Sequence, residues 1–81
     1  MKRVRFSRPG LKDLDALGTV ERKRVSDAIE RYAEHSVGDV KQLRDREPPQ
    51  YCLSVGKWRI LFRRAPDEIK ILAIDNRGEA Y

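Results

Sequence analysis

Apolar residues recur along this chain at two periods, and the switches between them mark the elements. From Lys2 to Phe6, Val4 and Phe6 alternate with charged neighbours, as in a half-buried edge strand. Ser7 and Pro9 then read as the cap and first turn of a helix, one that carries Leu11, Leu14 and Leu17 inward and stops at Gly18. Thr19 is a suitable N-cap for a second helix, with Glu21 in its first turn. That segment puts Val25, Ala28, Ile29, Tyr32 and Ala33 on one face and Arg22, Lys23, Asp27, Glu30, Arg31 and Glu34 on the other, ending between His35 and Gly38. The charged face reads as the ordinary solvated side of a surface helix.

From Val40 the period becomes two. Tyr51, Leu53 and Val55 alternate with Cys52 and Ser54, and Trp58, Ile60 and Phe62 alternate with Arg59, Leu61 and Arg63. Gly56-Lys57 between the two runs suits a two-residue type II′ turn. Counting outward from it pairs Val55 with Trp58, Leu53 with Ile60 and Tyr51 with Phe62 on the core side. The same count sets Ser54 opposite Arg59 and Cys52 opposite Leu61 on the other side. Ala65-Pro66-Asp67 makes a second turn, and Ile69 to Ile74 is apolar enough for an inner strand. The predicted fold is α+β: an N-terminal strand, a helical hairpin, then a three- to four-stranded antiparallel sheet with the helices on one face. Glu47-Pro48-Pro49-Gln50 reads as a rigid loop, so residues 1–81 are expected to form a single domain.

At 81 residues the core is small, and a site is expected on an open face or against a partner. The 18 Lys and Arg against 13 Asp and Glu leave a net charge of +5, which favours anionic partners. One cysteine, Cys52, and one histidine, His35, rule out an internal disulfide and a His/Cys zinc cluster. His35 reads as a surface residue or helix C-terminal cap. The N-terminal run Met1 to Phe6 has no apolar signal stretch, and no segment approaches the ~18 apolar residues of a membrane span. A soluble, reducing, cytoplasmic setting with no membrane partner is expected.

Arg59 is the first candidate for chemistry, because the hairpin register turns it away from the helices onto the exposed sheet face. It would either pair with Asp75 or Glu79, or bind an anion. Arg44, Arg46, Lys57, Arg77 and Tyr81 are expected around it. Guanidinium groups suit phosphodiesters, since the planar fork binds two oxygens and stays ionised. No phosphate-binding glycine loop, Ser/His/Asp arrangement or telling carboxylate pair is present.

Four segments together resemble the RelE/ParE toxins of type II toxin–antitoxin systems. They are Leu11-x-x-Leu14-x-x-Leu17, Gly38 to Arg44, Tyr51 to Arg59, and Ile74 to Tyr81. The resemblance implies cleavage of mRNA in the ribosomal decoding site: a 2′-hydroxyl attacks the adjacent phosphate, with no metal or cofactor. It implies that Arg59 stabilises the phosphate, that Arg77 is the arginine near the C-terminus, and that Tyr81 stacks on or orients the nucleotide. RNA contacts are expected from Arg44, Arg46, Lys41 and Arg63. Where nucleases of this family carry lysines on the strand before the hairpin, this chain has Cys52 and Ser54, so Lys57 is the substitute for proton transfer. The resemblance also implies a cognate antitoxin in a hetero-oligomer. A ParE-type inhibitor of DNA gyrase without nuclease activity, and a non-catalytic binding module, are the alternatives.

Overall fold

The computed structural model describes residues 2–76. In order these form β1 (Arg3–Phe6), α1 (Arg8–Asp15), α2 (Thr19–His35), β2 (Asp39–Gln42), β3 (Tyr51–Val55), β4 (Trp58–Ala65) and β5 (Glu68–Asn76). The five strands make one sheet in the order β1-β5-β4-β3-β2. β2 to β5 are antiparallel neighbours, whereas β1 runs parallel to β5. The architecture is the α+β arrangement predicted, and no described helix is long and apolar enough to cross a membrane.

Both helices lie on one face of the sheet. Leu14, Leu17, Val25, Ile29, Tyr32 and Ala33 pack on Leu53, Ile60, Phe62, Ile69, Ile71 and Ile74. Those strand residues alternate with the ones on the opposite face, which no described element covers.

The chain caps α1 as the sequence suggests, with the Ser7 hydroxyl accepting from the Gly10 amide at 3.0 Å. Three expectations need correcting. Leu11 is 48% exposed, because residues three apart in a helix drift by about 60° per step. The helix turns Gly10 and Leu14 to the core instead, and ends at Asp15 rather than Gly18. Glycine is required at position 10: a Cβ there would sit 2.5 Å from the Ile71 carbonyl oxygen. Thr19 is the first residue of α2 and Gly18 is its cap, with no side-chain cap bond.

α1 also takes over from β1 as the neighbour of β5. β1 pairs with β5 only as far as Phe6 and Ile71. Beyond that, the Ser7 amide donates to the Ile71 carbonyl, the Ser7 hydroxyl donates to the Leu72 carbonyl, and Asp13 accepts from the Ile74 amide at 3.0 Å. Backbone groups that a strand would satisfy are thus met by polar side chains. β5 bulges at the same point, since Phe62 opposes Ile71 while Leu61 opposes Ala73.

Candidate functional site: the uncovered sheet face

The β3–β4 hairpin has the register counted from its turn, with Ser54 opposite Arg59 and Cys52 opposite Leu61. Gly56 has φ of 56° and Lys57 does not share it, the pattern of a type II′ turn. The uncovered face can therefore be laid out in rows. Asp39, Ser54, Arg59 and Asp75 form one row across β2, β3, β4 and β5. Lys41, Cys52, Leu61 and Ala73 form the next. Further along β4 come Arg63, Lys70 and Arg5, and then Glu68 and Arg3. Among the described residues, cations outnumber carboxylates on this face.

Arg59 lies on the central strand of the five, half-buried, near the hairpin end. Its Nη1 donates to the carbonyls of Trp58 at 3.2 Å and Gly56 at 3.5 Å. Asp75 is directly across, yet no ion pair forms between them within 4.0 Å. Carbonyl contacts orient the guanidinium without neutralising it.

The other candidates are spread over the molecule. Lys41 and Arg63 share Arg59's face, Arg63 being four residues along the same strand. Lys57 occupies the turn, but its Nζ is 5.3 Å from the centroid of the Trp58 ring. Trp58 belongs to the helix side, where its indole N–H donates to Glu21, itself 3.6 Å from Arg24. The cation–π contact thus draws Lys57 toward the helical side of the hairpin. Arg44 and Arg46 lie in the loop between β2 and β3, at the opposite end of β3 from Lys57. Arg46 donates to Gln50 at 3.3 Å, and the loop from Gln42 to Glu47 lines a concavity of about 610 Å³. So the structure brings Lys41 and Arg63 to the face of Arg59, whereas Arg44, Arg46 and Lys57 stand at its ends. Arg77 and Tyr81 lie outside the described residues.

Cys52 is buried at 6% exposure although no helix covers its side of the sheet. Burial pushes its thiol up, with Arg59 opposing that shift and Asp39 and Asp75 adding to it. A neutral, shielded thiol is a poor nucleophile and proton carrier.

On the helix side, Arg64 was not singled out from sequence. Its guanidinium carbon lies 4.0 Å from the Tyr51 ring centroid, and its Nη1 donates to the Tyr32 hydroxyl at 2.7 Å. Its pKa is raised, chiefly by Tyr51 and further by Tyr32. Continuing the alternation of β4 by one residue would set position 64 on the core side, and the packing of α2 brings Tyr32 to it there.

The same architecture recurs in solved toxins. The RelE-like toxin fold is the fold of this chain. An archaeal RelE–RelB complex from Pyrococcus horikoshii matches over 98% of this chain and 98% of its own, with a TM-score of 0.79 and 23% identity. The isolated RelE toxin of E. coli matches 99% of this chain and 88% of its own, at a TM-score of 0.77 and 14% identity. The toxin–antitoxin complex RelBE2 from Mycobacterium tuberculosis reaches 27% identity over 94% of this chain, at a TM-score of 0.63. No family model and no curated protein sequence matches. The likeness is thus carried by backbone topology far more than by side chains.

Proposed function

We propose that residues 1–81 act as the toxin of a type II toxin–antitoxin pair: a ribosome-dependent mRNA endonuclease that uses no metal. The observation that carries this reading is Arg59, held by two carbonyls on the central strand of an uncovered face, in a RelE-like fold. In the reaction the 2′-hydroxyl oxygen bonds to the adjacent phosphorus and the bond from phosphorus to the 5′-oxygen breaks. A 2′,3′-cyclic phosphate and a 5′-hydroxyl result, the 2′-hydroxyl proton passing to a base and the 5′-oxygen taking one up. Arg59 stabilises the charge that builds on the phosphoryl oxygens, where loss of one such donor costs about 3 kcal/mol. Arg77 adds a second guanidinium and Tyr81 stacks on the base. Lys41 and Arg63 hold flanking RNA from the same face, and Arg44 and Arg46 from the neighbouring loop. The role of the base falls to Lys57, whose side-chain amine accepts the 2′-hydroxyl proton and must leave the Trp58 ring to reach the substrate.

An antitoxin is the expected partner, in a cytoplasmic complex, because several similar structures are antitoxin-bound. Purified protein on ribosomes programmed with a defined message tests the enzyme: cleavage within the codon, with a cyclic phosphate on the upstream fragment, is expected, and Arg59→Ala should lose it. An uncut message defeats the proposal.

A second reading is favoured by one observation. Cys52 and Ser54 give this face no lysine on β3, and the Cys52 thiol is buried and neutral. A ParE-type gyrase inhibitor on the same fold needs no proton transfer. Inhibition of supercoiling with messages left whole would favour it.

A further inference from the structure

The parallel pairing of β1 with β5 sets Arg5 beside Lys70, and the antiparallel pairing of β5 with β4 sets Lys70 beside Arg63. Three cations therefore stand in one row across three adjacent strands, on the uncovered face. Arg63 and Lys70 meet across the β4–β5 hairpin, whereas Arg5 is distant in sequence and joins them only through the parallel pairing of β1. Like charges directly opposite one another destabilise a sheet, and neighbouring strands are only about 4.8 Å apart. Internal neutralisation is slight: Glu68 lies 3.7 Å from Arg5, and among the described residues neither Lys70 nor Arg63 has an ion-pair partner. Arg63 supplies an independent sign, for its Nε is shielded from solvent and finds no hydrogen-bond partner among the described residues. Local rules broken without internal compensation are characteristic of binding sites.

We infer that Arg5, Lys70 and Arg63 form a second anion site, a row that grips the phosphodiester backbone of RNA; the inference rests on the ribonuclease reading above. Arg63 and Arg59 point to the same side of β4 four residues apart, roughly 13 Å at the rise of a strand. An RNA strand lying along β4 with its reacting phosphate at Arg59 brings flanking phosphates over the row. Two guanidinium groups and an ammonium are the donors that phosphate oxygens take best. An acidic protein segment is the competing occupant, but protein docking relies on apolar anchors set in pockets. Away from Arg59 the row is flanked on β1 and β5 by the charged Arg3 and Glu68; toward Arg59 the next row holds Leu61 and Ala73, with the charged Lys41 at its far end.

The test is binding to 70S ribosomes programmed with a message that carries 2′-deoxynucleotides at the codon to be cut, across a series of salt concentrations. Each phosphate contact contributes about 0.7 to the slope of log affinity against log salt on single-stranded RNA. Arg5→Gln combined with Lys70→Gln is expected to flatten the slope by about 1.4, on the same per-contact figure. The double variant is also expected to unfold at a higher temperature, because repulsion within the row is relieved; a folded variant with an unchanged slope overturns the inference. So does one that keeps its ribosome slope but loses affinity for poly-glutamate, which makes the occupant a protein. Cleavage of an all-ribose message separates the two failures. If the wild type cuts, Arg59→Ala does not, and the row variants keep the wild-type slope, the nuclease reading stands and the row falls. If the wild type neither binds nor cuts, the nuclease reading itself has failed.

Discussion

Arg59 and Asp75 stand directly opposite each other on β4 and β5, yet the guanidinium turns to the carbonyls of Trp58 and Gly56 rather than to the carboxylate. Among the described residues, the positive charge is thus positioned without being cancelled. On the proposed reading, Asp75 would oppose a phosphate brought to Arg59. Asp75→Asn is expected to bind programmed ribosomes about two- to fivefold tighter, the range of an exposed charge interaction. Titration with an uncuttable message measures this, and weaker binding would mean that Asp75 helps to hold the arginine.

Asp13 does the work of a strand neighbour. Its carboxylate accepts from the Ile74 amide at 3.0 Å, where β5 bulges and β1 has already ended. Asp13→Ala leaves that amide without its partner, at a cost of about 1–3 kcal/mol. Urea unfolding should show a lower midpoint with an unchanged slope. Because Asp13 lies on the helix side, ribosome affinity per folded molecule should not change.

Cys52 makes stability depend on alkaline pH. Burial pushes the folded-state thiol up, so the unfolded chain's thiol ionises first, near about 8.5. Below that value the contribution is fully present. Above it the folded state binds more protons than the unfolded state, and stability falls as pH rises toward the folded thiol's own ionisation. Cys52→Ser is expected to flatten this alkaline decline in thermal melts, and iodoacetamide should label the native thiol far more slowly than the unfolded one.

The sequence was most legible where geometry is set by counting. A two-residue turn at Gly56-Lys57 leaves one register for β3 and β4, so the orientation of Arg59 followed from alternation alone. Leu11 was misread because a spacing of three looks helical but walks around the helix, while Gly10, with no side chain to signal burial, holds the true contact. The parallel pairing of β1 with β5 joins opposite ends of the chain, and no local pattern encodes it. The row of Arg5, Lys70 and Arg63 was hidden for the same reason. Of the cations expected around Arg59, Arg44 and Arg46 are carried to the far end of β3 by their loop and Lys57 is drawn aside by an aromatic neighbour, while Lys41 and Arg63, expected as RNA contacts, share its face.

The central claim is that the uncovered face around Arg59 cuts translated RNA. Mapping the 5′ ends of cellular messages after brief induction tests it most directly, with wild type and Arg59→Ala expressed at equal levels. New 5′-hydroxyl ends inside codons of translated messages are expected for the wild type and absent for the variant. Growth arrest by the wild type with its messages left intact would contradict the account.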